Sequence, residues 1–576
     1  MIALAVVAFA TGALVGANHT GSTGHALAAR FVAAWTRGDY AAMYADIDAA
    51  SRRTVSASEF ADTYKSALTM ATAIHMKVVG KPGNAPGGLV AVPVRVHTRL
   101  FGTLSLAFAL KVLESGGEGA RLAWSRSLAF PGLRPGELLS RHTELPRRAT
   151  LLARDGSVLA EGAATAAGER ASPLGETASA VVGEVGPLPS AQQQTLEAEG
   201  TPTDAIVGVS GVEQALDSRL RGRPGGELLA GQRPLASAAP VAAAAVRSTV
   251  SPAVQRAAVS ALGGQLGGIV AIQPSTGQIL AVAGLGLDSL QPPGSTFKMV
   301  TVSGVLQAGI ASPHSTYPYG TYATLDGVKL SNANGEECGG TLELAFAVSC
   351  NSVFAPLGVK LGAARLVAMA EGYGFNHEPG IPGAAESTLP AASQIQGELD
   401  VGSTAIGQGQ VLASALQMVT VASTIADGGR RPQPTFAFGS PSGPGATATS
   451  AEVARTVRKM MIAVVREGTG TAAAIPGVTV AGKTGTAELK TASTCSSSSE
   501  EASAKEGDSG ESAESSENCK GAADEASNTD AWFAAFAPAL HPRIAVGVLL
   551  VKDGAGGATA APVARQVLEA GLQASR

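Results

Sequence analysis

Positive charge is in short supply: 42 lysines and arginines stand against 46 acids, a net charge of -4 over 576 residues. With no basic patch either, nucleic acid is excluded as a partner. Cysteine is also sparse. There are four (Cys338, Cys350, Cys495 and Cys519), none in C-x-x-C spacing, and the eight histidines are scattered. That pattern offers no metal site, zinc included, and nothing in it asks for a cofactor. The cysteines fall into two sequence-local pairs, which suits an exported, oxidising setting. Two disulfides, Cys338–Cys350 and Cys495–Cys519, are expected, with four free thiols as the bland alternative. Aromatics make up only 4% of the residues, yet a hydrophobic share of 45% still supplies real cores. Thirteen lysines are outnumbered by arginines, a bias of composition rather than function. The length suggests three or four domains.

Against that background three short motifs stand out: Ser295-Thr296-Phe297-Lys298, Ser349-Cys350-Asn351 and Lys483-Thr484-Gly485-Thr486. Lys298 is the only lysine with a serine three residues before it. Each motif has an ordinary structural reading. Ser295 could cap a helix, Ser349 and Asn351 could form a turn, and Lys483-Thr484-Gly485 could end a strand. Together, in this order, they spell a serine acyl-transfer site whose base is a lysine rather than a histidine.

A serine hydroxyl is a poor nucleophile until a base takes its proton. At i and i+3 of a helix, Ser295 and Lys298 share a face. Lysine serves as base only if its pKa falls from about 10.4 toward neutrality. Burial and a second cation, for which Lys483 is the candidate, both push it down. Ser295 near a helix start places its N–H at the positive dipole end, where an oxyanion would form. Ser349 can relay a proton between Lys298 and a leaving amine. Asn351 can position Lys298 and a substrate amide through its two polar ends. The run 478–489 reads as an edge strand. There Gly485 would let a substrate backbone approach, Thr484 and Thr486 would offer hydroxyls to a carboxylate, and the Thr486 N–H would be a second oxyanion donor.

The rest of the chain frames the motifs. Residues 1–18 are almost entirely apolar. That is marginal for a membrane span of about twenty residues and also fits the core of a signal sequence. The usual basic flank is missing, so the segment is expected to be an anchor or signal piece that is truncated here. No lipid-anchor cysteine follows it. From His25 to Leu133 a small α+β unit is expected. Ala28, Phe31, Val32 and Trp35 form one helical stripe, and strand-like runs lie at 89–98, 104–113 and 121–130. Residues 149–162 look like a hairpin turning at Asp155-Gly156. Val212, Leu216 and Leu220 share a face of a short helix before a Gly/Pro stop. From about Val246 a helix at 254–263, strands at 267–274, 278–284, 530–538 and 543–553, and a closing helix at 561–574 predict helices on an antiparallel sheet. The segment 493–529 breaks the pattern. Between Glu500 and Glu525 it has nine acids opposed only by Lys505 and Lys520, and it is expected to be a disordered, solvated insertion.

The chain resembles the penicillin-binding transpeptidases over nearly its whole length. The similarity is carried by 292–301, 347–358, 405–418, 466–488 and 530–538 around the three motifs. Residues 208–222 resemble the pedestal, or dimerisation, domain of the class B enzymes. Residues 121–133 resemble the nuclear-transport-factor-like N-terminal domain of the methicillin-resistance-type, low-affinity members. Three departures are visible: the pedestal's usual Arg-Gly opening is Arg148-Ala149, the segment between the second strand and Ser295 is short, and the acidic insertion lies between two sheet strands beside the cleft. The resemblance implies an α+β multidomain chain. A nuclear-transport-factor-like domain would span 24–135, a pedestal 143–235 and a transpeptidase domain of the serine β-lactamase-like fold 246–576. It also implies D,D-transpeptidation of peptidoglycan stem peptides through a Ser295 acyl-enzyme, with β-lactams acylating the same serine. Ser295, Lys298, Ser349, Asn351 and Lys483 would be catalytic, and Thr484, Gly485 and Thr486 would bind substrate. A single anchor would hold the catalytic domain outside the cytoplasm. A membrane glycosyltransferase is the implied partner, since no such segment is visible in this chain. β-Lactam resistance is a weaker implication, resting on the N-terminal likeness alone.

Three other functions share the motifs. A β-lactamase needs a deacylating carboxylate, and none can be assigned. A D,D-carboxypeptidase would use water as acceptor and is poorly distinguished by sequence. A non-enzymatic penicillin sensor needs a signalling module, and none is visible.

Overall fold

The computed structural model describes residues 21–113, 119–165, 168–439, 445–488 and 529–574. The apolar run 1–18 and the acidic stretch with Cys495 and Cys519 lie outside the described residues. Among the described residues no single helix is long and apolar enough to cross a membrane. The chain forms two compact units. One takes the residues up to Arg148 with 187–205 and 221–243, and the other takes 149–186, 206–220 and 244 onward.

In the first unit the helix Gly21–Arg37 buries Ala28, Phe31, Val32 and Trp35, the expected stripe. It packs on an antiparallel sheet in which Leu89–Thr98 pairs with Thr103–Leu113. Asp39 caps the next helix by accepting the Ala42 N–H. The run 121–130 departs from expectation. It is a strand only over Arg121–Ala123, then a 3-10 turn at Arg126–Leu128. The cause is tertiary: the Trp124 N–H and carbonyl both bond the Ser51 hydroxyl, 73 residues away, instead of a neighbouring strand. The edge strand Ala73–Val78 carries no apolar run, because His75 and Lys77 interrupt it.

The second unit contains the expected hairpin, Leu151–Leu152 against Val158–Ala160. It also buries Val212, Leu216 and Leu220. Beside them Arg170 and Glu213 form an ion pair at 2.8 Å, with both side chains almost wholly buried. The unit's main sheet has five strands: β1 (Gly267–Gln273), β2 (Gln278–Gly284), β3 (Ala481–Glu488), β4 (Thr529–Ala537) and β5 (Ile544–Leu550). Their order is β2-β1-β5-β4-β3, antiparallel throughout. Strands from both ends of the segment thus meet in the middle, and β3 takes an edge.

Both faces are covered, which is why β4 and β5 are buried at every residue and show no alternation. On one face α1 (Pro252–Leu262) and the closing helix at Ala560–Ala574 pack with Ile269, Phe533, Val546 and Val548. Each such side chain contributes roughly 1.5–3 kcal/mol on burial. The other face meets the helix Ala415–Ala426. This helix is buried along its whole length. The three motifs converge where that face meets the β3 edge.

Candidate active site

Ser295 lies in a 3-10 turn, Gly294–Phe297, that runs directly into the helix α2 (Lys298–Gln307). The motif was expected to open an α-helix, but the first turn is tighter. In a 3-10 turn side chains at i and i+3 eclipse, which keeps Ser295 and Lys298 on one line. Ser295 is half-buried and Lys298 fully buried.

The second motif sits between α3 (Leu342–Ala347) and α4 (Asn351–Leu361). The Ser349 N–H donates to Phe346 O and the Cys350 N–H to Ala345 O. That is a Schellman C-cap, whose left-handed position usually holds glycine. Here it holds Ser349, at φ 63°. A non-glycine residue in that region costs of order 1 kcal/mol or more and points to function. The next residue is clamped, since Cys350 forms the expected disulfide with Cys338. The second expected disulfide lies outside the described residues.

The side chains meet at two lysines. Lys298 Nζ donates to Ser349 O at 2.6 Å and Asn351 Oδ1 at 2.6 Å, and lies 3.4 Å from Ser349 Oγ. Lys483 Nζ donates to the same Ser349 Oγ at 2.8 Å and to Thr484 O at 3.1 Å. Both lysines are fully buried with no carboxylate partner among the described residues. Aromatic rings back them instead: Phe354 lies 5.6 Å from Lys298 Nζ and Phe346 5.5 Å from Lys483 Nζ. Burial, and then the charge of Lys483, push the Lys298 ammonium well below its ordinary range. Burial pushes Lys483 down to about 7. A neutral amine has two N–H donors and one lone pair. Once neutral, Lys298 would spend its two donors on the two short acceptors and keep its lone pair for a hydroxyl proton.

The third motif is on edge strand β3, as expected. Gly485 has a different use from the one its sequence suggests. A Cβ there would lie 2.7 Å from Pro293 O and 3.0 Å from Thr296 Cγ2. The close approach at Gly485 is therefore made by the turn that carries Ser295. Thr484 shares a 2.6 Å hydrogen bond with Thr469, and Thr486 Oγ1 accepts the Gly556 N–H at 3.4 Å. Asn351 also differs from expectation at one end, since its Nδ2 donates to Ser331 O at 2.8 Å.

Sequence reasoning gave no role to several residues that build the site. Gly407 O accepts the Gly294 N–H, and a Cβ on Gly407 would meet Gly294 O at 2.1 Å. Thr469 donates its N–H to Ala347 O, tying the end of α3 to β3 through Thr484. Asn332 accepts the Ser352 N–H and donates to Gly320 O and Glu336 O. Only the motif-like spacing of Gly407-Gln408-Gly409 could have signalled the first of these.

Comparison with known proteins gives three family matches along the chain. Residues 267–569 match the penicillin binding protein transpeptidase domain. Residues 162–232 match the penicillin-binding protein dimerisation domain, and 23–137 the NTF2-like N-terminal transpeptidase domain. The chain is 30% identical over 427 residues to the peptidoglycan D,D-transpeptidase PbpA of Mycobacterium tuberculosis, covering 62% of this chain and 77% of that protein. It is 24% identical to the peptidoglycan D,D-transpeptidase MrdA of Acinetobacter baumannii, over 68% of this chain and 64% of that one. Among solved structures, the ceftriaxone acyl-enzyme complex of penicillin-binding protein A from M. tuberculosis superposes with a TM-score of 0.55 at 25% identity, covering 74% of this chain and 98% of that one. The D,D-transpeptidase domain of a peptidoglycan glycosyltransferase from Eggerthella lenta superposes with a TM-score of 0.56 at 29% identity, covering 74% and 98%. The chain belongs to the penicillin-binding transpeptidase family.

Proposed function

We propose that this chain is a peptidoglycan D,D-transpeptidase in which Ser295 is the nucleophile and Lys298 its base. The observation that carries the assignment is the fully buried Lys298 Nζ, held at 2.6 Å by both Ser349 O and Asn351 Oδ1 and with its proton affinity pushed well down by burial and Lys483. Ser295 Oγ attacks the carbonyl carbon of the penultimate D-alanine, and its proton passes to Lys298 Nζ. Ser349 Oγ, held by Lys483, relays a proton to the leaving amine. D-Alanine departs and an acyl-serine ester remains. The amine of a second stem peptide then attacks the ester, its proton passes to Lys298 and on to Ser295 Oγ as the C–Oγ bond breaks, and the new amide is the cross-link. The N–H groups of Ser295 and Thr486 stabilise the oxyanion. Thr484 and Thr486 hydroxyls, with Lys483, receive the terminal carboxylate. β-Lactams enter the same path and stop at the ester.

Within this reading residues 24–135, 143–235 and 246–576 are the NTF2-like, pedestal and transpeptidase domains. The apolar run 1–18 anchors them with the catalytic domain outside the cytoplasm. A membrane glycosyltransferase supplies the strands.

The test is covalent labelling by fluorescent penicillin. The native chain takes one stable label and Ser295→Ala takes none. Labelling that survives the substitution would sink the assignment, and rapid release of the label would favour a β-lactamase.

A further inference from the structure

The second unit holds a recess of about 420 Å³, partly open to solvent, whose lining includes Gly374, Glu378, Ser387, Ser414 and Arg431 and none of the motif residues. Its donors outnumber its acceptors. Arg431 is half-buried, and its guanidinium has no hydrogen bond or ion pair among the described residues. Burial lowers its proton affinity, and no carboxylate offsets this. Gly374 makes room for it, since a Cβ there would lie 2.5 Å from Arg431 Nη1. Ser387 and Ser414 are 2% and 1% exposed. Ser387 Oγ accepts the Ser414 N–H at 3.1 Å, and Ser414 Oγ accepts the Gln417 N–H at 3.2 Å. Both hydroxyl protons are left without an acceptor among the described residues. A buried donor without an acceptor is uncommon and asks for one from outside the chain. The acid in the lining, Glu378, is exposed and forms no ion pair with Arg431.

The recess is tied to the turn that carries Ser295. Next to Gly374, the Phe375 ring meets Phe297 edge-on with centroids 5.4 Å apart. Tyr373 OH shares a 2.8 Å hydrogen bond with Ser303 Oγ in α2, and its carbonyl accepts from Gln417 Nε2 at 2.9 Å. Ala413, next to Ser414, exchanges both backbone hydrogen bonds with Gln291, just upstream of Ser295. We propose that this recess is a regulatory site for a small oxyanion, a phosphate or a carboxylate. The planar guanidinium grips two oxygens of such a group at once, and the two serine hydroxyls donate to the same anion. Bound there, the anion holds Arg431 across Gly374 and stiffens 373–375 behind Phe297, which keeps the Ser295 turn in its reactive position. The regulation rests on Ser295 as nucleophile, whereas the binding does not.

The test uses the full chain, with inorganic phosphate and acetate as separate probes titrated against chloride at constant ionic strength. Calorimetry should show a single site for at least one of them, and the tighter binder identifies the class of oxyanion. Arg431→Gln should weaken that binding roughly tenfold or more. Arg431→Lys, which keeps the charge without the fork, should fall in between, and it carries the comparison if the glutamine variant melts early. Saturating the site should raise the rate of fluorescent-penicillin acylation about fivefold in the native chain. Arg431→Gln should keep the native anion-free rate and show no rise. No binding of either probe by the native chain, or equal binding by the native chain and both variants, overturns the site. Binding that leaves acylation unchanged overturns its regulatory role. Failure of the transpeptidase reading is visible separately, as a label that survives Ser295→Ala.

Discussion

Replacing Gly485 with alanine should separate the site's packing from its chemistry. Gly485 does not adopt a left-handed φ, so alanine is conformationally admissible. By backbone entropy alone the change would stabilise by about 0.4–1 kcal/mol. Space opposes it. The added carbon would sit 2.7 Å from Pro293 O and 3.0 Å from both Thr296 Cγ2 and Trp532 Cβ. Carbon contacts are comfortable at about 3.5–4.0 Å, so the turn bearing Ser295 must retreat by about half an ångström or more. It cannot do so freely, because Gly294 is pinned from the far side by Gly407. Overpacking of this kind costs roughly 1–3 kcal/mol, enough to reverse the entropic gain. A 1 Å misplacement of a reacting group can cost about a hundredfold in rate, so acylation should fall roughly ten- to a hundredfold. The assay is the second-order rate of fluorescent-penicillin acylation, paired with a thermal melt. Gly83→Ala, at a position with nothing within 4 Å, is the control. Wild-type acylation in Gly485→Ala would refute the reasoning. So would a lower melting temperature with an unchanged rate, since the strand rather than the Ser295 turn would then have moved.

Two further predictions follow from buried charge. Acylation needs Lys298 neutral, and its proton affinity is depressed, so efficiency should climb with pH along a limb lying well below the ordinary lysine value of 10.5. Lys483 titrates near 7 and loses its charge as pH rises, so a falling limb should begin near neutrality. Because both lysines touch Ser349, the limbs belong to the pair. A pH profile of penicillin acylation with one rising limb near pH 10 would contradict this. Separately, Arg170→Met removes the buried 2.8 Å pair with Glu213 and the bonds to Ala149 O and Gly162 O, and should cost about 3–5 kcal/mol. The denaturant midpoint measures it, and a neutral mutant would show that Arg170 is not what holds the segment.

Sequence alone determined the chemistry and most of the elements. The three motifs named the reacting groups because acyl transfer by serine needs a nucleophile, a base and an oxyanion cradle, whatever carries them. Periodicity placed the Ala28–Trp35 stripe, and the apolar runs placed four strands of the main sheet, because burial writes itself into residue type. Tertiary structure decided what those groups can do. Lys298 can act as a base only after folding buries it and brings Ser349 O and Asn351 Oδ1, fifty-odd residues away, within 2.6 Å. Ser349 occupies a position that helix-end rules assign to glycine, and no local rule foretells that. Gly485, Gly407 and Thr469 matter through contacts with segments distant in sequence, which spacing cannot encode. Trp124 left its strand for one hydroxyl, that of Ser51. Composition and period report what a residue prefers, whereas distances between remote segments exist only once the chain has folded.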